Sequence, residues 1–161
     1  MGESPFKGAK LAQVAFVVND LSSAVRRWAT LLGVPEPTVI ETAPGEEIKL
    51  NYRGTESNAR AKLAFFDLGG VQLELIEPIG LDSAWYEGLA DRGEGFHHIA
   101  FWTEDMAGDR RFLESHRVAM NMRGDMGEGQ FAYFDAADLT GGMIELLERR
   151  RTEVGPPFTQ S

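Results

Sequence analysis

Cysteine is absent from the 161-residue chain. That excludes disulfides, thiolate-held zinc, iron–sulfur clusters and thiol catalysis, so any metal would have to be held by histidine and by oxygen ligands. Long apolar runs are missing too. No stretch approaches the roughly 20 apolar residues of a membrane span, and Met1–Lys10 lacks the apolar core of a signal peptide. A cytoplasmic protein with no membrane partner is therefore expected. Positive charge is scarce: 16 Lys and Arg against 25 Asp and Glu leave a formal net charge of −9. This argues against a nucleic-acid partner, which would need a basic stripe. The one basic run, Arg149-Arg150-Arg151, precedes a Gly/Pro tail at Gly155–Ser161 and reads as a solvated end.

What the chain does have is an internal repeat. LAQVAFVVNDLSSAVRRW (Leu11–Trp28) matches FHHIAFWTEDMAGDRRFL (Phe96–Leu113), setting Gln13 on His98, Asp20 on Asp105 and Arg26 on Arg111. LELIE (Leu73–Glu77) matches IELLE (Ile144–Glu148) and sets Glu74 on Glu145. Each half reads as a strand (Leu11–Val18; Phe96–Thr103), a capping signal at Asp20 or Asp105, and a helix reaching Leu32 or Ser115. Three strand-like runs follow in each half. They lie near Val39–Tyr52, Ala61–Leu68 and Val71–Ile76, and near Val118–Met122, Gln130–Asp135 and Met143–Leu147. Gly69-Gly70 and Gly141-Gly142 turn the chain before each last strand.

The expected fold is α+β: two tandem βαβββ modules whose strands form a cup-shaped mixed sheet around a metal site. The expected division is a tail at 1–10, a first module at 11–78 and a linker at 79–94 with a short helix near Ser83–Arg92. The second module spans 95–150, and a tail covers 151–161.

Strand alternation sets Gln13 beside Ala15 and Val17, His98 beside Phe96, Ala100 and Trp102, Glu74 beside Gln72 and Ile76, and Glu145 beside Met143 and Leu147. A carboxylate among apolar neighbours is costly unless paired or bound to a cation. Two of them at repeat-equivalent positions, with an amide and an imidazole at another equivalent pair, have one simple common cause. That cause is a single divalent ion per chain held by Gln13, Glu74, His98 and Glu145. His97-His98 puts one imidazole on each face of a regular strand; the repeat selects His98. His116 has no such support and is expected in solvent.

These residues carry a resemblance. The chain, from about Lys10 to Arg149, resembles the vicinal oxygen chelate superfamily, which includes lactoylglutathione lyases, methylmalonyl-CoA epimerases, extradiol dioxygenases and bleomycin-resistance proteins. LELIEPIGLDSAWYEGLADRGEGFHHIAF (Leu73–Phe101) and GGMIELLE (Gly141–Glu148) are similar to methylmalonyl-CoA epimerases. The resemblance implies paired βαβββ modules, the same four metal ligands, a homodimer and a small-molecule substrate. Epimerases of this kind typically carry His at the first ligand position and Gln at the second, where this chain has Gln13 and Glu74. A Gln/Glu/His/Glu set resembles one class of lactoylglutathione lyases.

Such a donor set suits Co²⁺, Ni²⁺, Zn²⁺, Mn²⁺ or Mg²⁺. The expected chemistry is proton abstraction beside a carbonyl with stabilisation of the enolate, Glu145 being the first choice of base and Glu74 the second. An acyl-CoA thioester is the favoured substrate, with a hemithioacetal or other 2-oxo compound as the alternative. A ring-cleaving dioxygenase, which wants two histidines, is disfavoured. A non-catalytic drug-binding cup would use Phe65, Trp85, Phe96, Trp102 and Tyr133 as its lining. Lys49, Arg53, Arg60 and Lys62 are candidates for a basic rim.

Overall fold

The computed structural model describes residues 3–149; the expected C-terminal tail and most of the basic run lie outside the described residues. Ten strands form one mixed sheet. They are β1 (Leu11–Val17), β2 (Ile40–Glu41), β3 (Asn51–Tyr52), β4 (Thr55–Glu56), β5 (Arg60–Leu68), β6 (Val71–Ile79), β7 (Gly95–Thr103), β8 (Met120–Met126), β9 (Gly129–Phe134) and β10 (Met143–Arg149). Four helices accompany them: α1 (Leu21–Leu32), α2 (Ala84–Arg92), α3 (Met106–Ser115) and α4 (Ala137–Thr140). Their order across the sheet is β2-β5-β6-β1-β7-β10-β9-β8-β3-β4. The expected α+β fold of two βαβββ repeats in a curled sheet is borne out.

Local chemistry explains the elements. Asp20 and Asp105, the repeat-equivalent capping residues, accept from Ser23 N and Gly108 N and start α1 and α3. Gly33 ends α1 with φ of 67°, a left-handed conformation that a side chain would oppose. Gly69 and Gly70 have φ of 66° and 97°, the two-residue turn that matches the twist of β5 and β6.

Alternation then sorts side chains into layers. On the outer face Leu73 and Leu75 pack with Ala64 and Phe66 beneath Leu21, Val25 and Ala29 of α1. Leu146, Ala132 and Phe134 pack with Met106 and Leu113 of α3. The inner face carries Ala15, Ile76, Ala100, Phe131, Tyr133, Met143 and Leu147, closed over by Leu50 and by Ala84 and Trp85 of α2. Trp28 packs on Phe16 with ring centroids 5.4 Å apart, as expected of a packing residue.

The structure corrects the strand expected near Val39–Tyr52. Its first part, β2, pairs with β5, while its last part, β3, crosses to pair with β8 of the other module. Between them the chain turns through Pro44-Gly45. A Cβ on Gly45 would lie 2.0 Å from the Ser57 carbonyl oxygen, so the backbones approach too closely for any side chain. The β3–β4 hairpin thus links the first module to the far edge of the second. No helix of the described residues is long and apolar enough to cross a membrane.

Candidate metal centre

Four strands at the middle of the sheet position the site. β1 and β7 pair antiparallel at its centre, each flanked by a parallel neighbour. The two flanks use one register: Gln13 stands opposite Gln72 with Glu74 two residues on, and His98 stands opposite Met143 with Glu145 two residues on. The sequence repeat is thus repeated as a pairing pattern, which brings both carboxylates to the inner face beside the β1–β7 pair.

Glu74, His98 and Glu145 are all buried, and each offers a ligand atom within 4.8 Å of the others. His98 Nε2 lies 2.8 Å from Glu145 Oε2 and 3.3 Å from Glu74 Oε2. These are ion-pair distances, yet none of the three atoms has a partner in hydrogen-bonding geometry. A hydrogen bond requires direction as well as proximity, so these short contacts are not hydrogen bonds. Lone-pair atoms converging without hydrogen bonds in a buried place are what a cation requires, and this triad can hold a metal ion.

The electrostatics point the same way. Burial alone would lower His98, but the Glu145 and Glu74 carboxylates outweigh it and bring it up to about 9. Burial, reinforced by Glu145, raises Glu74, although His98 opposes the shift. Both directions describe a cluster that collects positive charge, whether as protons or as a metal.

Gln13 is half-buried on the same face, and its Nε2 donates to Gln72 Oε1 at 3.1 Å. It therefore lies in register for the site, with its amide turned to a neighbour rather than into the triad. Tyr133 packs edge-on against His98, with ring centroids 4.9 Å apart, and its hydroxyl accepts from Trp85 Nε1 at 3.0 Å. Burial, then the Glu145 and Glu74 charges, raise Tyr133 well above its ordinary value, so its proton stays on.

Of the five aromatics expected to line a cup, Tyr133 packs on His98 of the triad, Trp85 packs on Tyr133, and Phe65 stands opposite Glu74. Trp102 is half-exposed with the Arg149 guanidinium 4.4 Å above its ring. Phe96 departs from the expected face: it pairs with Phe16, the residue packed on Trp28 of α1. The cause is a bulge. Ala15 pairs with His98 and Phe16 with Phe96, leaving His97 as an extra residue on β7. His97 is consequently not on the opposite face from His98; its ring is buried against its neighbour's, with centroids 5.1 Å apart. Alternation concealed this contact, and the adjacent pair of histidines was its only sequence signal.

His116 is exposed, as expected. The basic rim is largely spoken for: Arg53 pairs with Glu87, Arg60 with Glu41 and Lys62 with Glu77. Lys49 lines a cleft of about 440 Å³ with Asn51, Asn58 and Arg123.

A curled sheet of repeated modules, with buried carboxylates and an imidazole that could hold a metal on its inner face, defines the class of fold. By its sequence the chain belongs to the glyoxalase/bleomycin resistance protein/dioxygenase superfamily, whose model matches residues 12–134. It is 32% identical over 101 residues to the uncharacterized protein YqjC of Bacillus subtilis (strain 168), covering 60% of this chain and 71% of that protein. Its fold resembles methylmalonyl-CoA epimerase from Mycobacterium tuberculosis at 21% identity and a TM-score of 0.59, over 94% and 93% of the two chains. A variant of Streptomyces coelicolor methylmalonyl-CoA epimerase, in complex with 2-nitronate-propionyl-CoA, is similar at 27% identity. Its TM-score is 0.59, over 88% of this chain and 98% of that one.

Proposed function

We propose that this protein is a divalent-metal-dependent epimerase or isomerase that removes a proton from the carbon beside a substrate carbonyl, with a methylmalonyl-type acyl-CoA thioester as substrate. The observation that carries this reading is the buried convergence of Glu74 Oε2, His98 Nε2 and Glu145 Oε2 without hydrogen bonds among them. Gln13 is the fourth ligand in this reading, because it stands to Glu74 in register as His98 stands to Glu145. Two carboxylates balance a divalent charge, and the oxygen-rich set suits Co²⁺, Ni²⁺, Zn²⁺, Mn²⁺ or Mg²⁺. When bound, the ion supplies Lewis acidity, lowering the cost of negative charge on a substrate carbonyl oxygen.

The chain's own residues move and guide the proton. Glu145 is the base that takes the proton. Glu74, on the other module, is the second carboxylate; where it stands on the opposite side of the bound substrate it would return a proton there and invert the carbon. Tyr133 and Trp85 exclude water over the triad, and a drier site strengthens each charge interaction. Support for an acyl-CoA comes from the similar epimerase that holds 2-nitronate-propionyl-CoA.

Gln13 and Glu74, standing where such epimerases typically carry His and Gln, favour a second reading: lactoylglutathione lyase-type isomerisation of a hemithioacetal. There the proton returns to the adjacent carbon. A purely binding module would gain nothing from two buried carboxylates. We further infer a homodimer, since apolar side chains at the β2 edge and the end of α1 are exposed, including Ile40, Val39 and Leu31.

The test is solvent exchange. Metal-loaded protein incubated with methylmalonyl-CoA in D₂O is expected to place deuterium on the acidic carbon. Glu145→Gln is expected to slow this by at least ~100-fold, the scale of a lost general base. Turnover of the hemithioacetal without thioester exchange would transfer the assignment to the second reading. Tight binding of both compounds with neither reaction would overturn the enzyme reading.

A further inference from the structure

We propose that His97 is a positioning residue that fixes the tautomer of His98, keeping Nε2 as the lone-pair atom directed at Glu74 and Glu145. This rests on the reading of His98 as a metal ligand, and follows from two contacts and one bulge. His97 Nε2 lies 2.8 Å from the Ala84 carbonyl oxygen. A carbonyl only accepts, so the proton in that contact belongs to His97 Nε2. Its remaining nitrogen, Nδ1, faces the ring of His98.

His97 Nδ1 lies 2.8 Å from His98 Nδ1, a contact that holds one proton; a ligating Nε2 carries none, so His98 bears its proton on Nδ1 and His97 Nδ1 accepts it. With Nδ1 protonated, a neutral His98 has its lone pair on Nε2, the atom facing both carboxylates. A ligating histidine commonly donates its other N–H to a carboxylate, a carbonyl or a water. Here a second imidazole relays that role to the backbone of α2.

The geometry depends on the bulge, which turns residue 97 toward its neighbour. β1 has the matching bulge, where Leu11 pairs with Phe101 and Gln13 with Ala100, leaving Ala12 as the extra residue. Ala12 and His97 are repeat-equivalent, yet only one is polar. The chemistry of their neighbours explains the difference. An amide such as Gln13 has a fixed acceptor oxygen and no tautomer to select, whereas an imidazole has two equivalent-looking nitrogens. Only the half carrying the imidazole needs the relay.

Two measurements test this. In Zn²⁺-loaded protein, ¹⁵N NMR of the histidine rings should show His98 protonated at Nδ1, and His97 protonated at Nε2 and bare at Nδ1. A proton on His97 Nδ1 would overturn the inference, and this arm does not depend on any variant folding. In Co²⁺ titrations followed by visible absorption, His97→Leu is expected to bind about 10–100-fold more weakly. His97→Gln, which can both donate and accept, should recover most of that loss. A residue that merely fills space would tolerate Leu as well as Gln. His98→Ala is the control: if it loses Co²⁺ while His97→Leu binds like wild type, the relay alone is wrong. Wild-type protein that takes up no Co²⁺ would overturn the metal reading and this inference with it.

Discussion

Three side chains whose polar atoms would each cost several kcal/mol if buried alone sit with ligand atoms within 4.8 Å of one another. Their cheapest state holds added positive charge, and this gives a pH dependence with a defined sign. Folded His98 is raised from 6.5 to about 9. Its proton stabilises the folded metal-free protein fully below pH 6.5, and that contribution is lost as pH rises through about 9. A metal must displace the same proton. Purified protein is expected to carry about one EDTA-removable divalent ion per chain, matching the single triad. The Co²⁺ affinity of the stripped protein should climb about tenfold per pH unit from near neutrality and level off once His98 has lost its proton. Affinity independent of pH between 6.5 and 9 would contradict the placement of that proton. At this scale Glu74, His98 and Glu145 were legible because the repeat paired them; His97 was not, because alternation assumes a strand without bulges.

At the scale of elements, α2 has a larger part than its position in the linker suggested. It was expected near Ser83–Arg92 and runs from Ala84 to Arg92 with Ser83 as its cap. Its Ala84 carbonyl anchors His97, and Gly88 makes room for the ring. A Cβ there would lie 2.6 Å from His97 Cδ2 and 3.0 Å from Nε2. Replacing glycine by alanine inside a helix ordinarily stabilises by up to ~1 kcal/mol. Gly88→Ala is expected to do the reverse, costing about 1–3 kcal/mol by overpacking against a ring pinned at both nitrogens. Thermal unfolding followed by circular dichroism checks the sign: a melting temperature at or above wild type would mean that α2 is free to move away. The strand expected near Val39–Tyr52 fared differently. Its residues suit extended backbone, but hydrogen bonding divided them, giving Ile40–Glu41 to β5 and Asn51–Tyr52 to β8. No local pattern records which distant edge a strand will find.

For the whole molecule, the sheet ends in the two-residue strands β2 and β4. Short edges discourage open-ended pairing, while exposed Leu31, Val39 and Ile40 leave apolar surface near one of them. Light scattering at micromolar concentration is expected to give about twice the 17.8 kDa of one chain. A mass near that of a single chain would rule out the dimer. The sequence by itself determined the repeated halves, the absence of thiolate ligands, the capping residues and the kinds of donor atom available. Those follow from composition and from periodicity within one strand or helix. The tertiary structure decided that Glu74, His98 and Glu145 converge while the Gln13 amide turns to Gln72, that a hairpin of the first module joins the second, and that His97 meets His98. Periodicity assigns a side chain to a face; inter-strand register and bulges, set by pairing between residues far apart in the chain, decide which side chains on that face touch.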